Sequence, residues 1–500
     1  AAPGVTTLIT SRIRLNLKGE QLLPVAGLSF PREGPPEAEA DGEYDAVTLF
    51  LAGARRVCPG FGPAGQERQV GRICRLVEGM PLALLLAAAW VELLPPAEIA
   101  DRIAHGLGFL EGDWQDVPER HRSIRAVFDP MWRLLDEREG EVFEALSVFF
   151  GGFTGDAARQ VAGATLRDLR ALANRSLLQR TPAGRYEVHE LLRQYASERL
   201  AQAPARDKAV RDSHSAYYGA ALERWAEDLE GARQLAALAE MDVEIDNARA
   251  AWDWAVAEGQ VDRLDRALDG LAGYYDLRAR YPEAETVLQS AEKALQAAAP
   301  GGGLRLLVRV LAWQGLLTWR LGHTELANER LARCLALLDD PRLDGEDTRR
   351  EKAFALYCQG YAVHDVDREA ARDLLEQSVA LYEALGDGYW LACALKLLGE
   401  VVSQLGDYGE GRRLIERGMA QARAVGDQRT VAWGLQWLSF VAFYQGQVEE
   451  AARFSRESAD IYRALGARAE LAYSLVMLTG SLVLQGRFDE ARSHAPVSYT

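Results

Sequence analysis

The sequence contains few of the residues that build metal centres and disulfide frameworks. Its 500 residues include five cysteines and seven histidines. The cysteines form no C-x-x-C pair, and the histidines show no H-x-x-x-H or H-E-x-x-H spacing, so the sequence predicts no metal site. An odd number of scattered cysteines is typical of buried, reduced thiols. We therefore expect a cytoplasmic protein without disulfides.

Long apolar runs and an excess of positive charge are also absent. The best candidate for a membrane span, residues 81–94, is too short and contains Glu92. Lys and Arg number 57 against 73 Asp and Glu, which gives a net charge of −16. This balance argues against a chain that wraps nucleic acid by bulk electrostatics, although a local basic face stays open. No nucleophile and base stand in a recognisable pattern, so we predict no enzyme activity for this chain.

The chain opens with a pattern typical of an α/β sheet. Residues 5–10 (VTTLIT) predict a buried parallel strand, and Ser11 and Arg12 follow it directly. Ligands bind at the carboxyl ends of such strands, where an Arg is well placed to meet a phosphate. The alternative for Arg12 is a solvated charge at the end of a strand. Because the sequence does not begin with Met and starts inside this pattern, we expect a longer parent protein.

A linker and four helices follow. Residues 31–43 contain three prolines and five acidic residues without apolar periodicity, which indicates a linker. Apolar spacing predicts helices over residues 44–57, 66–78, 82–94 and 97–105. A Gly-Met-Pro-Leu segment containing Pro81 separates the second helix from the third. Such a segment lets the backbone approach a flat ligand closely, or it is simply a turn.

Residues 118–200 predict a winged helix. Three helices precede two strand candidates at 176–180 and 185–189, joined by a turn, and a further helix begins at Glu190. His189 lies where the second strand meets that helix. The alternative function for this unit is DNA binding through the helix at 166–175, which carries three arginines.

The remainder of the chain predicts a helical repeat. Gly386, Gly426 and Gly466 are spaced 40 residues apart, and three further glycines at 406, 446 and 486 have the same spacing. Each unit is two helices with a glycine-centred turn after each helix. Such helix pairs bury their apolar faces only by stacking, so we expect a superhelix with a concave face. Most aromatic residues would belong to its core, and those on the concave face would anchor a protein or small-molecule ligand.

Taken in order, these segments resemble an NB-ARC-type signal-transduction ATPase of the STAND class, as in bacterial LuxR- or SARP-type transcriptional regulators. The motifs that carry the resemblance are LITSR at 8–12, GMPLAL at 79–84, LSVFFGGF at 146–153 and VHE at 188–190, followed by tetratricopeptide-like repeats. The fold expected is mainly α: the C-terminal part of a P-loop nucleotide-binding domain (1–30), a helical domain (31–115), a winged helix (116–203), a helical linker with atypical first repeats (204–300) and a superhelix of repeats (301–500).

The resemblance implies three nucleotide-binding residues. Arg12 would contact the γ-phosphate, Pro81 would pack near the adenine, and His189 would contact the β-phosphate of ADP and lock the closed state. The chain departs from the family pattern with Val188 in place of Met and Glu190 in place of Asp. Neither departure changes the histidine itself.

No G-x-x-x-x-G-K-[ST] motif occurs in the sequence, and no acidic Walker B strand precedes residue 5. We therefore expect that this chain does not hydrolyse ATP. The resemblance implies that the longer parent binds ATP or ADP with Mg²⁺ and is at most a weak ATPase. The resemblance also implies an inducer on the repeats, homo-oligomerisation on activation, DNA contact only through a separate effector domain, and no membrane association. The alternative is a repeat scaffold for protein interactions that has no nucleotide role.

Overall fold

The computed structural model describes residues 8–9, 17, 20–21, 23, 25–31, 44–62, 65–111, 123–297 and 303–494. The chain is mainly helical, which confirms the predicted fold class. It divides into two compact units, Ala1–Tyr217 and Tyr218–Thr500. Within the described ranges no helix is both long and apolar enough to cross a bilayer. The finer domain limits stay predictions.

The predicted strand at residues 5–10 falls mostly outside the described residues, as does Arg12. Leu8 and Ile9 are described, and both are exposed and lie in no strand. A parallel strand needs hydrogen-bonded neighbours. The described part of the chain contains one sheet, of two strands much later in the sequence, so nothing there pairs with these two residues.

Four helices form the first part of the N-terminal unit: α1 Asp45–Val57, α2 Glu67–Leu76, α3 Pro81–Ala89 and α4 Pro96–His105. Their bounds lie close to the predicted ones because apolar residues recur at helical spacing, and residues such as Phe50 and Ile73 are fully buried. Short 3₁₀ turns at Trp90–Glu92 and Leu107–Phe109 follow α3 and α4. Pro81 stands at the first position of α3, where the backbone N–H of any residue would have no partner within the helix, so proline is tolerated.

Helices α5 to α9 and two strands complete the N-terminal unit: α5 Ile124–Trp132, α6 Glu137–Leu146, α7 Gly155–Ala162, α8 Leu166–Asn174, β1 Gln179–Arg180, β2 Tyr186–Glu187 and α9 Glu190–Leu200. The side chains of Asp136, Thr154 and Thr165 cap α6, α7 and α8. The strands are antiparallel, and Gln179 lies opposite Glu187. This element order matches the predicted one, and the winged-helix interpretation stays a prediction.

Both strands are shorter than predicted. Ser176 has a positive φ of 59°, and the N–H of Leu177 donates to the carbonyl of Leu172, so these residues end α8 instead of extending β1. On the other strand, Tyr186 also exchanges backbone hydrogen bonds with Phe153. The local C-terminal cap of α8 therefore takes the donors that a longer strand would use.

Helices make up the C-terminal unit, the first of which begins before the unit boundary: α10 Pro204–Leu229, α11 Gln234–Ala257, α12 Val261–Leu277, α13 Tyr281–Ala297, α14 Leu304–Arg320, α15 Thr324–Leu338, α16 Arg349–Val363, α17 Arg368–Leu385, α18 Gly388–Gln404, α19 Tyr408–Val425, α20 Gln428–Tyr444, α21 Val448–Leu465, α22 Arg468–Leu484 and α23 Phe488–His494. The repeat predicted from glycine spacing is confirmed, because a helix ends just before each of the six glycines and all six have positive φ.

Small residues set the packing between the two helices of a repeat. A Cβ at Gly399 of α18 would lie 2.6 Å from Cγ1 of Ile415 in α19, so only glycine allows this approach. The alanines that the repeat pattern places early in the second helices, such as Ala327, Ala371 and Ala451, are fully buried. Each helix pair thus buries one apolar face internally and offers another to the next pair.

Candidate functional sites

The first candidate site begins at the turn after α2. Glu78 has a φ of +45° and Gly79 a φ of +65°, and the N–H of Gly79 donates to the carbonyl of Cys74. The segment at residues 27–28 packs directly on this turn, where the N–H of Leu28 donates to the carbonyl of Gly79 at 2.9 Å. A Cβ at position 79 would lie 2.1 Å from the carbonyl oxygen of Leu28. Glycine is therefore required, and the turn holds Glu78 in place.

Glu78 meets the N-terminus of α9. One oxygen of its carboxylate accepts a hydrogen bond from the backbone N–H of Glu190 at 2.7 Å. The other oxygen lies 3.7 Å from Nε2 of His189. His189 itself caps α9, since its Nδ1 accepts from the N–H of Leu191 at 3.2 Å. A helix N-terminus favours negative charge, and here the carboxylate of Glu78, a residue of the same unit, occupies the anion-binding position.

The protonation states of the pair follow from burial. Burial lowers the pKa of His189 to about 4, although the nearby Glu190 opposes this. Burial raises the pKa of Glu78 to about 6. At neutral pH the imidazole is uncharged and the carboxylate is ionised, so their 3.7 Å contact is not an ion pair. Because Nδ1 accepts, the imidazole proton is on Nε2 and faces Glu78.

A cavity of ≈ 240 Å³ lies beside this contact. Its lining includes the carboxylates of Glu78, Glu187 and Glu190 against a single guanidinium, that of Arg193. That guanidinium is already held by two 2.7 Å hydrogen bonds to Glu190 and by the carbonyl of Ser147 at 3.0 Å. With Glu78 seated at α9, the described lining residues therefore do not fit the phosphates of a nucleotide.

The three residues that the resemblance implicates are not all brought together. His189 lies at the site, Arg12 is outside the described residues, and Pro81 is exposed and does not line the cavity. The sequence reasoning missed Glu78, the residue that fills the anion position. Its only signal was its place immediately before the Gly-Met-Pro-Leu turn, because the contact with α9 joins residues 112 positions apart.

The second candidate site lies within the C-terminal unit, where the first helices of the unit contact its later repeats. The indole Nε1 of Trp390 in α18 donates to Glu230, just after α10, at 3.1 Å. Nearby, Arg429 of α20 donates to the carbonyl of Leu277 at the end of α12 at 3.4 Å. These contacts join residues more than 150 positions apart. The first helices of the unit and its later repeats therefore surround a common space.

That space, which we call the chamber, is a cavity of ≈ 170 Å³. It is lined mainly by the first helices of successive pairs, α12, α14, α16, α18, α20 and α22. Seven aromatic residues line it: Trp313, Tyr357, Tyr361, Tyr389, Trp390, Trp433 and Tyr462. Others, such as Trp319, which packs on Tyr361 and His364, are not among its lining residues. That these aromatics anchor a ligand stays a prediction.

Charged side chains in the chamber are mostly paired. Arg320 lies 3.2 Å from Asp276, and Arg429 contacts Glu470. Lys396 is different: its ammonium lies 4.1 Å from the centre of the Trp433 ring, and no described carboxylate lies within 4.0 Å of it. Burial lowers the pKa of Lys396. The chamber thus holds one cation without an ionic partner.

Besides the Arg320–Asp276 ion pair, in which Nε and Oδ1 make no hydrogen bond, two polar groups of the chamber lack a partner among the described residues. Asp427 caps α20 through one oxygen, which accepts from the N–H groups of Arg429 and Thr430. Its other oxygen is buried and has no hydrogen-bond partner among the described residues, and the same is true of the hydroxyl of Tyr462. Both residues are at most 1% exposed and line the chamber. No pattern in the sequence indicates this polar set, apart from Lys396 as a lone lysine in an apolar helix.

Comparison with known proteins finds similarity to bacterial regulators. No protein-family model matches it. A protein of Mycobacterium tuberculosis, provisionally named an HTH-type transcriptional regulator, is 34% identical over 272 residues, which are 52% of this chain and 29% of that protein. Regulatory protein AfsR of Streptomyces griseus is 28% identical over 227 residues, 41% of this chain and 20% of that protein. The chain is similar to bacterial transcriptional regulators. This confirms the resemblance that the motifs indicated.

The chain spans less than a third of the length of these two relatives. Among solved structures, the STAND protein PH0952 of Pyrococcus horikoshii, which has a tetratricopeptide repeat sensor, aligns over 90% of this chain and 65% of its own, with 14% identity and a TM-score of 0.46. A TM-score below 0.5 does not by itself establish a shared fold.

Proposed function

We propose that this chain is the regulatory part of a bacterial transcriptional regulator, acting in the cytoplasm. Its N-terminal unit would form a switch, and its repeat unit would recognise an inducer. Contact with DNA would come through a separate effector domain, and activation would bring several copies together. The relatives' names support the regulatory role, and the absence of a recognisable nucleophile and base in the sequence is in keeping with a protein that is not an enzyme.

The observation that carries the switch is the seating of Glu78 at the N-terminus of α9. A carboxylate from the turn after α2 accepts the first N–H of α9 beside His189, so one charged contact joins two segments of the unit. This contact depends on charge, because the pKa of Glu78 is raised by burial to about 6.

The nucleotide part of the proposal rests on the resemblance alone. Arg12, Pro81 and His189 would hold ATP or ADP, with Mg²⁺, and binding of ADP would lock the resting state. The N–H groups of α9 suit a phosphate as well as they suit a carboxylate. Since Glu78 takes that place here, the proposal requires that Glu78 and a phosphate exclude one another.

This requirement gives a direct test. In the complete gene product, Glu78→Gln removes the negative charge and keeps the side chain's shape and its acceptor oxygen. We expect the variant to retain ADP through purification better than the wild type does. If neither protein binds ADP, the second candidate gains support: a repeat scaffold in which Glu78 is a permanent structural cap of α9.

A further inference from the structure

The chamber of the repeat unit contains polar groups that the protein does not satisfy. Among the described residues, no carboxylate lies within 4.0 Å of the Lys396 ammonium, and neither one oxygen of Asp427 nor the hydroxyl of Tyr462 has a hydrogen-bond partner. All three line the same cavity. An unmade hydrogen bond at a buried group costs about 1–3 kcal/mol. A fold does not gain stability from such groups, so their presence together points to a ligand.

The charged side chains of the chamber determine the sign and the magnitude of the charge that a ligand carries. The two arginines are neutralised by Asp276 and Glu470, which leaves one ammonium without a partner. A monoanion matches this single cation. A nucleotide or other polyphosphate would bring several negative charges to a chamber that already holds three further carboxylates, those of Glu230, Asp269 and Asp427.

The unpartnered oxygen of Asp427 requires a donor on the ligand. Its other oxygen accepts from two backbone N–H groups at the start of α20, so the carboxylate is fixed in position. The hydroxyl of Tyr462 can donate or accept. The ligand that completes the chamber therefore carries an acidic group for Lys396 and an O–H or N–H group for Asp427.

The walls of the chamber determine the body of the ligand. Tyr389 and Trp390 lie one after the other at the start of α18, with ring centres 5.2 Å apart, and Trp433 lies under Lys396. Aromatic faces and edges of this kind pack best against another flat ring. The cavity of ≈ 170 Å³ limits the occupant to a small molecule. We propose that the chamber binds a small aromatic carboxylate that also carries a hydrogen-bond donor.

This inference deepens the sensing role proposed for the repeat unit and does not depend on a nucleotide. Isothermal titration calorimetry on the full chain tests it with 4-aminobenzoate, 4-hydroxybenzoate and N-acetyl-L-tryptophan. The matched neutral compounds are 4-aminobenzamide, 4-hydroxybenzamide and L-tryptophanamide acetylated on its amino group. We expect at least one acid to bind, and to bind about tenfold or more tightly than its amide, since a hydrogen bond to a charged group is about that strong.

Variants assign the preference to the chamber. Lys396→Met should remove the preference for the acid, whereas Lys352→Met, at an exposed position of α16, should leave it unchanged. Tyr462→Phe keeps the ring and should weaken binding several-fold. Because Lys396→Met removes a partly buried charge without an ionic partner among the described residues, its Tm should equal or exceed that of the wild type. If the Tm of Lys396→Met falls, the wild-type chain alone tests whether the chamber binds an aromatic carboxylate, through its preference for the acid over the amide.

The inference is overturned if none of the acids binds, if acid and amide bind equally, or if Lys396→Met binds as the wild type does. Water would then be the occupant of the chamber. Binding of an acid without any change in transcription by the complete gene product would have a different meaning. The site would stand, and the sensing role under the proposed function would be wrong.

Discussion

Glu230 offers a quantitative test of the closing contact in the repeat unit. Its carboxylate accepts from the indole of Trp390 at 3.1 Å, and this bond joins α10 to α18. Burial raises the pKa of Glu230 from 4.5 to about 7, and the nearby Asp387 adds to the effect. The folded unit therefore holds a proton that the unfolded chain releases, over the range between these two values.

The sign and size of the effect follow. Because the folded pKa is raised, the contribution to stability is fully present below pH 4.5 and is lost as the pH rises through about 7. One pKa unit corresponds to about 1.4 kcal/mol, so the loss at pH 8 approaches about 3 kcal/mol. Glu230→Gln keeps an acceptor for Trp390 and cannot ionise. The variant should unfold with a free energy up to about 3 kcal/mol higher than the wild type at pH 8, and with little difference at pH 4.

Urea unfolding at pH 4, 6 and 8 measures this difference, and hydrogen exchange of peptides from residues 218–500 assigns the transition to the repeat unit. Glu227→Gln, at an exposed position of the same helix, is the matched control and should show no such pH dependence. If Glu230→Gln were no more stable than the wild type at pH 8, the carboxylate would not be buried against Trp390, and the described closure of the chamber would be wrong.

Two further predictions concern the N-terminal unit. His189→Ala should lower its unfolding free energy by about 1 kcal/mol at pH 7 through loss of the α9 cap, and His189→Asn should restore most of this. Because the pKa of His189 is lowered from 6.5 to about 4, the wild type loses stability as the pH falls below 6.5. At pH 5 the alanine variant should therefore no longer be less stable than the wild type. The same stability difference at pH 5 and pH 7 would contradict the burial of His189. Gly79→Ala should lower the Tm far more than Gly163→Ala, because a Cβ meets Leu28 at position 79 and open space at 163; equal losses would refute the close approach.

The helices and their ends could be predicted from the sequence because their causes are local. Apolar spacing located α1 and α4 to within one or two residues, and the glycine spacing predicted the repeat. His189 was correctly placed between the second strand and α9. Each of these predictions depended on residues fewer than ten positions apart, or on a repeated pattern.

The chemistry of the two sites could not be predicted because its causes are distant in sequence. Glu78 is separated from Glu190 by 112 residues, and Glu230 from Trp390 by 160. No periodicity marks either pair. Lys396 shows the same limit in another way: the sequence displays an isolated lysine, whereas only the packing of α18 shows that no described carboxylate lies within 4.0 Å of its ammonium.

The strands were overestimated for a related reason. Residues 176–180 (SLLQR) predict a strand of five residues, and two are observed. The residue types show which side chains can be buried, but they do not show where the backbone N–H groups donate. At Leu177 the donor is used to end α8, and this local hydrogen bond competes with the strand.

The affinity of the complete gene product for ADP, in the wild type and in Glu78→Gln, tests the central claim most directly. The measurement belongs at pH 8, where Glu78 is ionised, with Glu187→Gln as control, since that exposed carboxylate lines the same cavity without touching α9. The account predicts that Glu78→Gln binds ADP about tenfold or more tightly than the wild type, because a like charge leaves the anion position, while Glu187→Gln changes affinity little. Equal affinities for all three proteins, or no binding by any of them, would contradict the claim that Glu78 and a phosphate compete for the N-terminus of α9.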